Sequence, residues 1–313
     1  MFIDKRISIF FVASMILLLC ACQPTASNVE EKGEIVITDF AEREVHFNQV
    51  PTKIAALGTG DVTIMGSFGI TVVGKPTVTG TDGEDELKDV QEIGTTHEIN
   101  YEQIALLQPD VVLGNVAFNQ DDTALLENVG VKVVLTEANS IQDIKKQIQL
   151  YGKMLQKEDK GQEIIEAIDK NLEEIKTKLT SKDKRVLIVY GAPGTYMAAL
   201  PNSLSGDILT KAGGVNIASD YPALEKFPQY AQINTERVVE ANPDAILLIT
   251  HGNPEEIKKG FLKEMEESSS WNSLDAVKEG RVDVLPSELF GTNPGTKITE
   301  AVSYMVDLLN NME

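Results

Sequence analysis

Apolar and polar residues alternate across Glu34–Phe47, with Ile35 and Ile37, then Val45 and Phe47, on one side. A period of two predicts a β-hairpin with one buried face, and His46 falls on the solvated one. Short apolar runs follow, at Ile54–Leu57, Ile70–Val73, Val111–Leu113 and Val131–Leu135, then at Arg185–Tyr190, Ala245–Thr250 and Val282–Leu285. Such runs predict strands buried on both faces, as in parallel sheets. Between them the period lengthens to that of a helix at Val62–Phe68, around Ile104, Ala105 and Leu107, and at Ser205–Ala212, Glu255–Met265 and Ile298–Leu309. Ser140–Leu179 is the most strongly helical part. One stripe holds Ile141, Ile144, Ile148 and Leu155; a second, past Lys157–Lys160, holds Ile164, Ile168, Leu172, Ile175 and Leu179. Asp220–Ile233 reads as loop. Strands and helices alternate in both halves, which predicts an α/β fold of two Rossmann-like lobes, 34–157 and 183–313. The helix expected within 158–182 either crosses between them or lies on the surface of one.

A repeat supports the two-lobe reading. Asn100-x-Glu102-x-Ile104, then Pro109-Asp110 and Leu113, recurs as Asn234-x-Glu236-x-Val238, then Pro243-Asp244 and Leu247. Each copy predicts a short helix stopped by proline and followed by a buried strand. His97 stands just before the first copy and His251 just after the second, two of only three histidines in the chain. The expectation is one histidine from each lobe, facing a shared cleft.

Residues 1–21 are expected to be a signal peptide. Lys5 and Arg6 precede an apolar run, Ile7–Leu19, too short for a confident membrane span. The run ends in Leu19-Cys20-Ala21-Cys22, which resembles a bacterial lipobox. That makes Cys22 the expected lipidation site and 22–33 a flexible tether. Only one cysteine would remain, so a disulfide and a cysteine-built zinc site are both excluded. The formal charge is −20, from 48 acidic against 28 basic residues. That argues against nucleic acid as a partner and against electrostatic adhesion to anionic lipid.

Two histidines are too few for a permanent zinc site, and no HExxH occurs. They suit the two axial positions of a haem iron, with the porphyrin in an apolar slot between the lobes. Haem propionates would need hydroxyls or free backbone N–H groups. Thr59 and Gly60, in the small-residue loop before a helix, and Thr77, Val78 and Thr79 would supply them. The loop at Thr59 equally fits a plain helix cap, and the histidines equally fit two unrelated polar loops. Ligands gather at the carboxyl ends of strands, which makes Tyr196 and Met197 cleft candidates; Phe290, in the last loop before the C-terminal helix, joins them. No nucleophile elbow or spare cysteine points to an enzyme.

The order of segments from Gly33 onward resembles the substrate-binding proteins of ABC importers for iron-siderophores, vitamin B12 and haem. Within that cluster it is most similar to the haem-binding lipoproteins of Gram-positive iron-regulated surface systems. The likeness is carried by Val73-Gly74-Lys75-Pro76-Thr77, Glu92-Ile93-Gly94, Gly191-Ala192-Pro193-Gly194-Thr195-Tyr196, Ala212-Gly213-Gly214-Val215-Asn216 and His251-Gly252-Asn253-Pro254-Glu255-Glu256-Ile257-Lys258-Lys259. The resemblance implies a class III substrate-binding protein: two lobes joined by a single long helix, with haem as cargo. It implies a monomer, lipid-anchored on the outer face of the cell membrane, that delivers haem to an ABC permease. His251 matches the family's iron ligand. The second ligand there is a methionine, at the position of His97, so this chain departs towards a bis-histidine iron, with Met197 as the methionine candidate. Glu102 and Glu236 match the pair of carboxylates that dock on permease arginines. The alternative cargo is a ferric siderophore, although the candidate loops contain no arginine for a charged chelate. An extracellular metal-dependent enzyme is a more distant alternative.

Overall fold

The computed structural model describes residues 34–77, 87–95, 97–181, 183–191, 195–250 and 254–312. The expected hairpin forms from Ile35–Thr38 (β1) and Glu44–Phe47 (β2), antiparallel with Ile35 opposite Phe47. Its apolar side is buried, and His46 lies outside with Nδ1 3.0 Å from Glu34 Oε1. Asp39, in its turn, accepts two hydrogen bonds from the Arg43 guanidinium and one from the Leu135 N–H, which docks the hairpin on the first sheet.

Next come Ile54–Ala56 (β3), Thr59–Ser67 (α1), Gly74–Lys75 (β4), Gln91–Glu92 (β5), Tyr101–Leu107 (α2) and Val111–Asn115 (β6). Val116–Asn119 (α3), Thr123–Asn128 (α4) and Lys132–Thr136 (β7) follow. The five strands form one parallel sheet in the order β5-β4-β3-β6-β7. Ile141–Met154 (α5) and Glu158–Lys176 (α6) lead to Arg185–Tyr190 (β8), Met197–Ala199 (β9), Leu204–Lys211 (α7), Val215–Asn216 (β10) and Tyr230–Gln232 (β11). Thr235–Ala241 (α8), Ala245–Ile249 (β12), Pro254–Glu266 (α9), Ser269–Asn272 (α10), Asp275–Lys278 (α11), Val282–Val284 (β13), Ser287–Phe290 (α12) and Ile298–Asn310 (α13) complete the chain. The second sheet runs β11-β9-β8-β12-β13, with β10 also on β8; β8, β12 and β13 are parallel and β9 and β11 antiparallel.

Several elements differ from the pattern-based expectation. Ile70–Val73 is not a strand; the pairing beside β3 falls on Gly74, where a Cβ would meet Ile93 at 2.7 Å. Helix α1 starts at Thr59 rather than Val62, because the Asp61 carboxylate bonds back to Gly58 and makes the small-residue loop a first helical turn. Ala105 is exposed, so α2 buries only Ile104, with Leu107 half-buried. Met197 lies in a strand rather than a loop, paired with Tyr190 and Gln232. A strand, β11, also interrupts the segment read as loop.

The core explains how the halves are held. One apolar cluster runs from β1, β2 and α1 through α5 and α6 to β8, α7 and α13, so each sheet turns one face to a common interior. A separate cluster covers the other face of each sheet. Helix α6 crosses α5 closely, with a Cβ on Gly161 only 3.7 Å from Gly152 Cα, and packs along α13.

The segment after α12 then returns to α1. Thr63 Oγ1 donates to the Pro294 carbonyl (3.2 Å), and Asn293 Nδ2 donates to Gln147 Oε1 (2.8 Å). Gln147 Nε2 in turn donates to Asp61 Oδ1 (2.5 Å), which also accepts the Tyr151 hydroxyl (2.5 Å). Ile141 N–H, at the start of α5, donates to Asp207 of α7 (2.8 Å). Covalently the chain crosses once, along α6; these contacts make the junction a packed, hydrogen-bonded seam.

Asp61 is 5% exposed, and burial pushes its carboxyl up to about 6, the bonds from Tyr151, Gln147 and Gly58 opposing that rise. The folded chain therefore holds a proton on Asp61 between its ordinary value of 3.8 and about 6 that the unfolded chain has lost. This group's contribution to stability is present at low pH and is lost as pH rises through that window. Unfolding free energies of the wild type and Asp61→Asn, taken from urea unfolding at pH 4.5 and pH 7, are expected to change relative to one another by about 2 kcal/mol, the wild type losing the more on going to pH 7. Parallel pH profiles would show that Asp61 titrates normally.

Candidate functional site

Both copies of the sequence repeat fold alike. Asn100 caps α2 by accepting the Gln103 N–H (2.9 Å), and Asn234 caps α8 by accepting the Arg237 N–H (3.0 Å). Each helix ends on a left-handed residue, Gln108 at φ +49° and Asn242 at φ +41°. Each following aspartate pins the start of the neighbouring strand: Asp110 accepts the Thr52 and Lys53 N–H groups, and Asp244 accepts the Arg185 N–H. The geometry leaves Glu102 and Glu236 exposed in equivalent first turns, one on each lobe.

His97 is exposed on a turn at the carboxyl end of the first sheet. Gly94 and Ile99 form an antiparallel bridge at the neck of the turn. Inside it, Thr95 N–H donates to the Glu98 carbonyl (2.9 Å), while Thr95 Oγ1 accepts from His97 N–H (3.2 Å) and Glu98 N–H (3.0 Å). Gly94 has φ +91°, and a Cβ there would lie 2.1 Å from the Glu98 carbonyl oxygen. Only glycine fits that position. The His97 ring meets Phe118 of α3 edge-on, centroids 4.5 Å apart and planes at 67°. Phe118 drew no attention in the sequence; its signal is an aromatic residue just past the carboxyl end of a central strand.

The remaining candidates divide. Thr59 is half-buried, and its Oγ1 lies 3.3 Å from Thr292 Oγ1, so the end of β3 meets the segment after α12. Gly60 is buried against Asn293, where a Cβ would come within 2.5 Å of the carbonyl oxygen. Thr77 donates its N–H to the Gly94 carbonyl (2.8 Å) and its hydroxyl to Glu92 (3.1 Å), leaving neither free for an anion. Tyr196 packs edge-on against Phe261 (4.8 Å), on the outer-face core of the second sheet. Phe290 is buried in the common core against Tyr304. Met197 is half-buried in β9. A stacked pair missed in the sequence, Tyr190 and Tyr230 (4.9 Å, 29°), marks the carboxyl end of β8, both hydroxyls raised by burial. His251, Val78, Thr79 and Cys22 lie outside the described residues; the strand leading to His251 is β12, between β8 and β13 in the second sheet.

Among the described residues, no three His, Cys, Asp or Glu side chains are grouped to hold a metal ion. No helix there is long and apolar enough to cross a membrane. An open depression of about 640 Å³ lies along Glu92, Glu98, Tyr101 and Glu102, lined also by Gly94 and Thr95 of the His97 turn.

The periodic pattern, the paired sheets and the repeat agree with the match of residues 54–289 to a family described as periplasmic binding proteins. The chain belongs to the periplasmic binding protein family. The high-affinity heme uptake system protein IsdE of Staphylococcus aureus is 30% identical over 309 residues, covering 98% of this chain and 97% of that one. The crystal structure of S. aureus IsdE complexed with heme superposes with a TM-score of 0.71 at 29% identity, over 82% of this chain and 98% of the other. An ABC transporter substrate-binding protein from Listeria monocytogenes EGD-e gives a TM-score of 0.72 at 28% identity, over 83% and 98%. This periplasmic binding protein is accordingly a binding protein rather than an enzyme, in the α/β class expected from its sequence.

The His97 turn yields a direct check with its own control. Gly130 has φ +88° and nothing within 4 Å of a Cβ, so Gly130→Ala is expected to cost only the backbone strain, about 1–2 kcal/mol. Gly94→Ala adds the collision with the Glu98 carbonyl and is expected to cost about 3 kcal/mol or more in urea unfolding. Equal losses would mean that the turn opens freely.

Proposed function

We propose that the chain is the haem receptor of an ABC importer, held by lipid on Cys22 at the outer face of a Gram-positive membrane. The observation carrying this reading is the full-length similarity, at 30% identity, to a heme uptake protein whose heme complex shares the fold. Haem lies between the lobes 34–157 and 183–313, which residues 158–182 join, with His97 and His251 on the two faces of the iron. The local geometry supports the first of these: His97 is presented, exposed, at a strand end by a turn that only Gly94 allows, next to an aromatic side chain. Of the propionate candidates, Thr59 keeps the best case, since Thr77 is already bonded and Gly60 is covered. Imidazole is a harder ligand than a thioether, so a bis-histidine site favours ferric iron and a lower potential than a His/Met one. The protein acts as a monomer, binds no nucleic acid, and docks on the permease through Glu102 and Glu236, one exposed carboxylate per lobe.

The full-length chain titrated with haemin is expected to give a saturable Soret band at one haem per chain with a low-spin ferric spectrum. His97→Ala and His251→Ala are each expected to abolish the low-spin form. Loss with His251→Ala alone would keep the haem role and move the second ligand, with Met197→Ala tested next. No saturable band would end the haem reading and leave a ferric siderophore as cargo.

Docking through the carboxylates predicts a separable defect. Glu102→Arg and Glu236→Arg are expected to leave the haemin titration unchanged and to slow permease-dependent haem uptake by roughly tenfold or more, because each places like charges in contact. Uptake at the wild-type rate in the double variant would refute the docking role.

A further inference from the structure

The ring that meets His97 has a role the ligand assignment leaves open. Phe118 is 47% exposed, although it lies only four residues past the fully buried stretch of β6, which ends at Gly114. A single exposed phenylalanine needs no explanation in itself. Here, however, the backbone on both sides of the ring pair is fixed by polar bonds. Asn115 accepts the Ala117 N–H (2.8 Å) and so caps α3. Buried Asn119 accepts the Asn115 N–H (3.0 Å) through Oδ1 and donates through Nδ2 to Asp122 (3.2 Å). The other oxygen of Asp122 accepts the hydroxyl of Tyr101 (2.7 Å), the first residue of α2, four residues after His97. The helix carrying Phe118 and the turn carrying His97 are thereby tied together, and the edge-to-face contact between the rings follows from that tie.

The contact matters because the terminal torsion of a histidine is broad and sets no preferred ring plane of its own. Ligating histidines are usually oriented by a partner on the ring's far side. We infer that Phe118 is the positioning residue for His97, fixing the rotation of its imidazole plane and forming the apolar wall of the ligand slot on the first lobe. The inference rests on the reading of His97 as an axial ligand of haem iron.

Phe118→Ala and Phe118→Tyr are made in the full-length chain, with unchanged urea midpoints as the check on folding. Without haem, the proton spectrum of the three histidines, assigned with His97→Ala, is expected to show only the His97 ring proton shifting in Phe118→Ala, as the ring current is lost. With haem, Phe118→Ala is expected to shift and broaden the low-spin ferric electron paramagnetic resonance signal and to release haem to apomyoglobin about 3- to 10-fold faster. Phe118→Tyr is expected to restore both. Unaltered resonance signals and release rates in a Phe118→Ala protein that binds haem low-spin would overturn the inference while leaving the haem reading intact. A wild type that takes up no haem, or a His97→Ala variant that stays low-spin, would remove the ligand reading and this inference with it.

Discussion

A carboxyl group with almost no solvent determines how the two halves of this protein meet. Asp61 sits in the first turn of α1, and its lone pairs are taken by Tyr151 and Gln147 of α5. The amide nitrogen of Gln147 donates to Asp61, and its amide oxygen accepts from Asn293, which precedes the C-terminal helix. Each member is satisfied by the next, so the segment after α12 has one place to lie. The apolar cluster common to both sheets supplies bulk attraction without direction; the polar chain running through it supplies register. Burying a carboxyl opposes this, and the rise in its pKa measures that opposition. The ends of β3 and of the last α/β unit are brought into contact at Thr59 and Thr292 as a result.

Much of the frame was legible in the sequence because it obeys local rules. The hairpin alternates, the long helices carry stripes at Ile141–Ile148 and Ile164–Ile175, and the Asn-x-Glu…Pro-Asp repeat marks a short helix and the strand after it, to which the structure adds the asparagine N-cap and a left-handed stop just before the proline. What escaped is what depends on partners far along the chain. Strands β4, β9 and β11 have two or three residues each, too few for a period, and exist only because a neighbour's backbone completes them. Tyr196 follows the loop at the carboxyl end of a strand and Phe290 precedes the C-terminal helix, which suggested a cleft; the structure instead packs them against Phe261 and Tyr304. Thr77 looked free, and Gly94 and Glu92 consume it. Phe118 was overlooked because nothing local distinguishes a phenylalanine beside a histidine from one beside water.

The site makes a different use of the chain from the frame. The turn that carries His97 is closed by bonds made within itself, from Thr95 to His97 and Glu98 and across the Gly94–Ile99 bridge, and is joined to the residue after β4 by the Thr77 N–H. Ile93 and Ile104, on either side of it, belong to the core of the first sheet. The seam at Asp61, in contrast, joins an interior that spans both sheets, so moving it disturbs α1, α5 and α13 together. A carrier must hold its cargo and also let it go, and the second requirement is met more cheaply by a turn than by a core. In the proposed reading, a ligand on His97 is therefore bound by the most locally built part of the first lobe, on lobes whose mutual position is set elsewhere. The proposed docking carboxylate Glu102 lies only five residues from His97, and the depression lined by Glu92, Glu98 and Glu102 is built partly from the residues of that same turn.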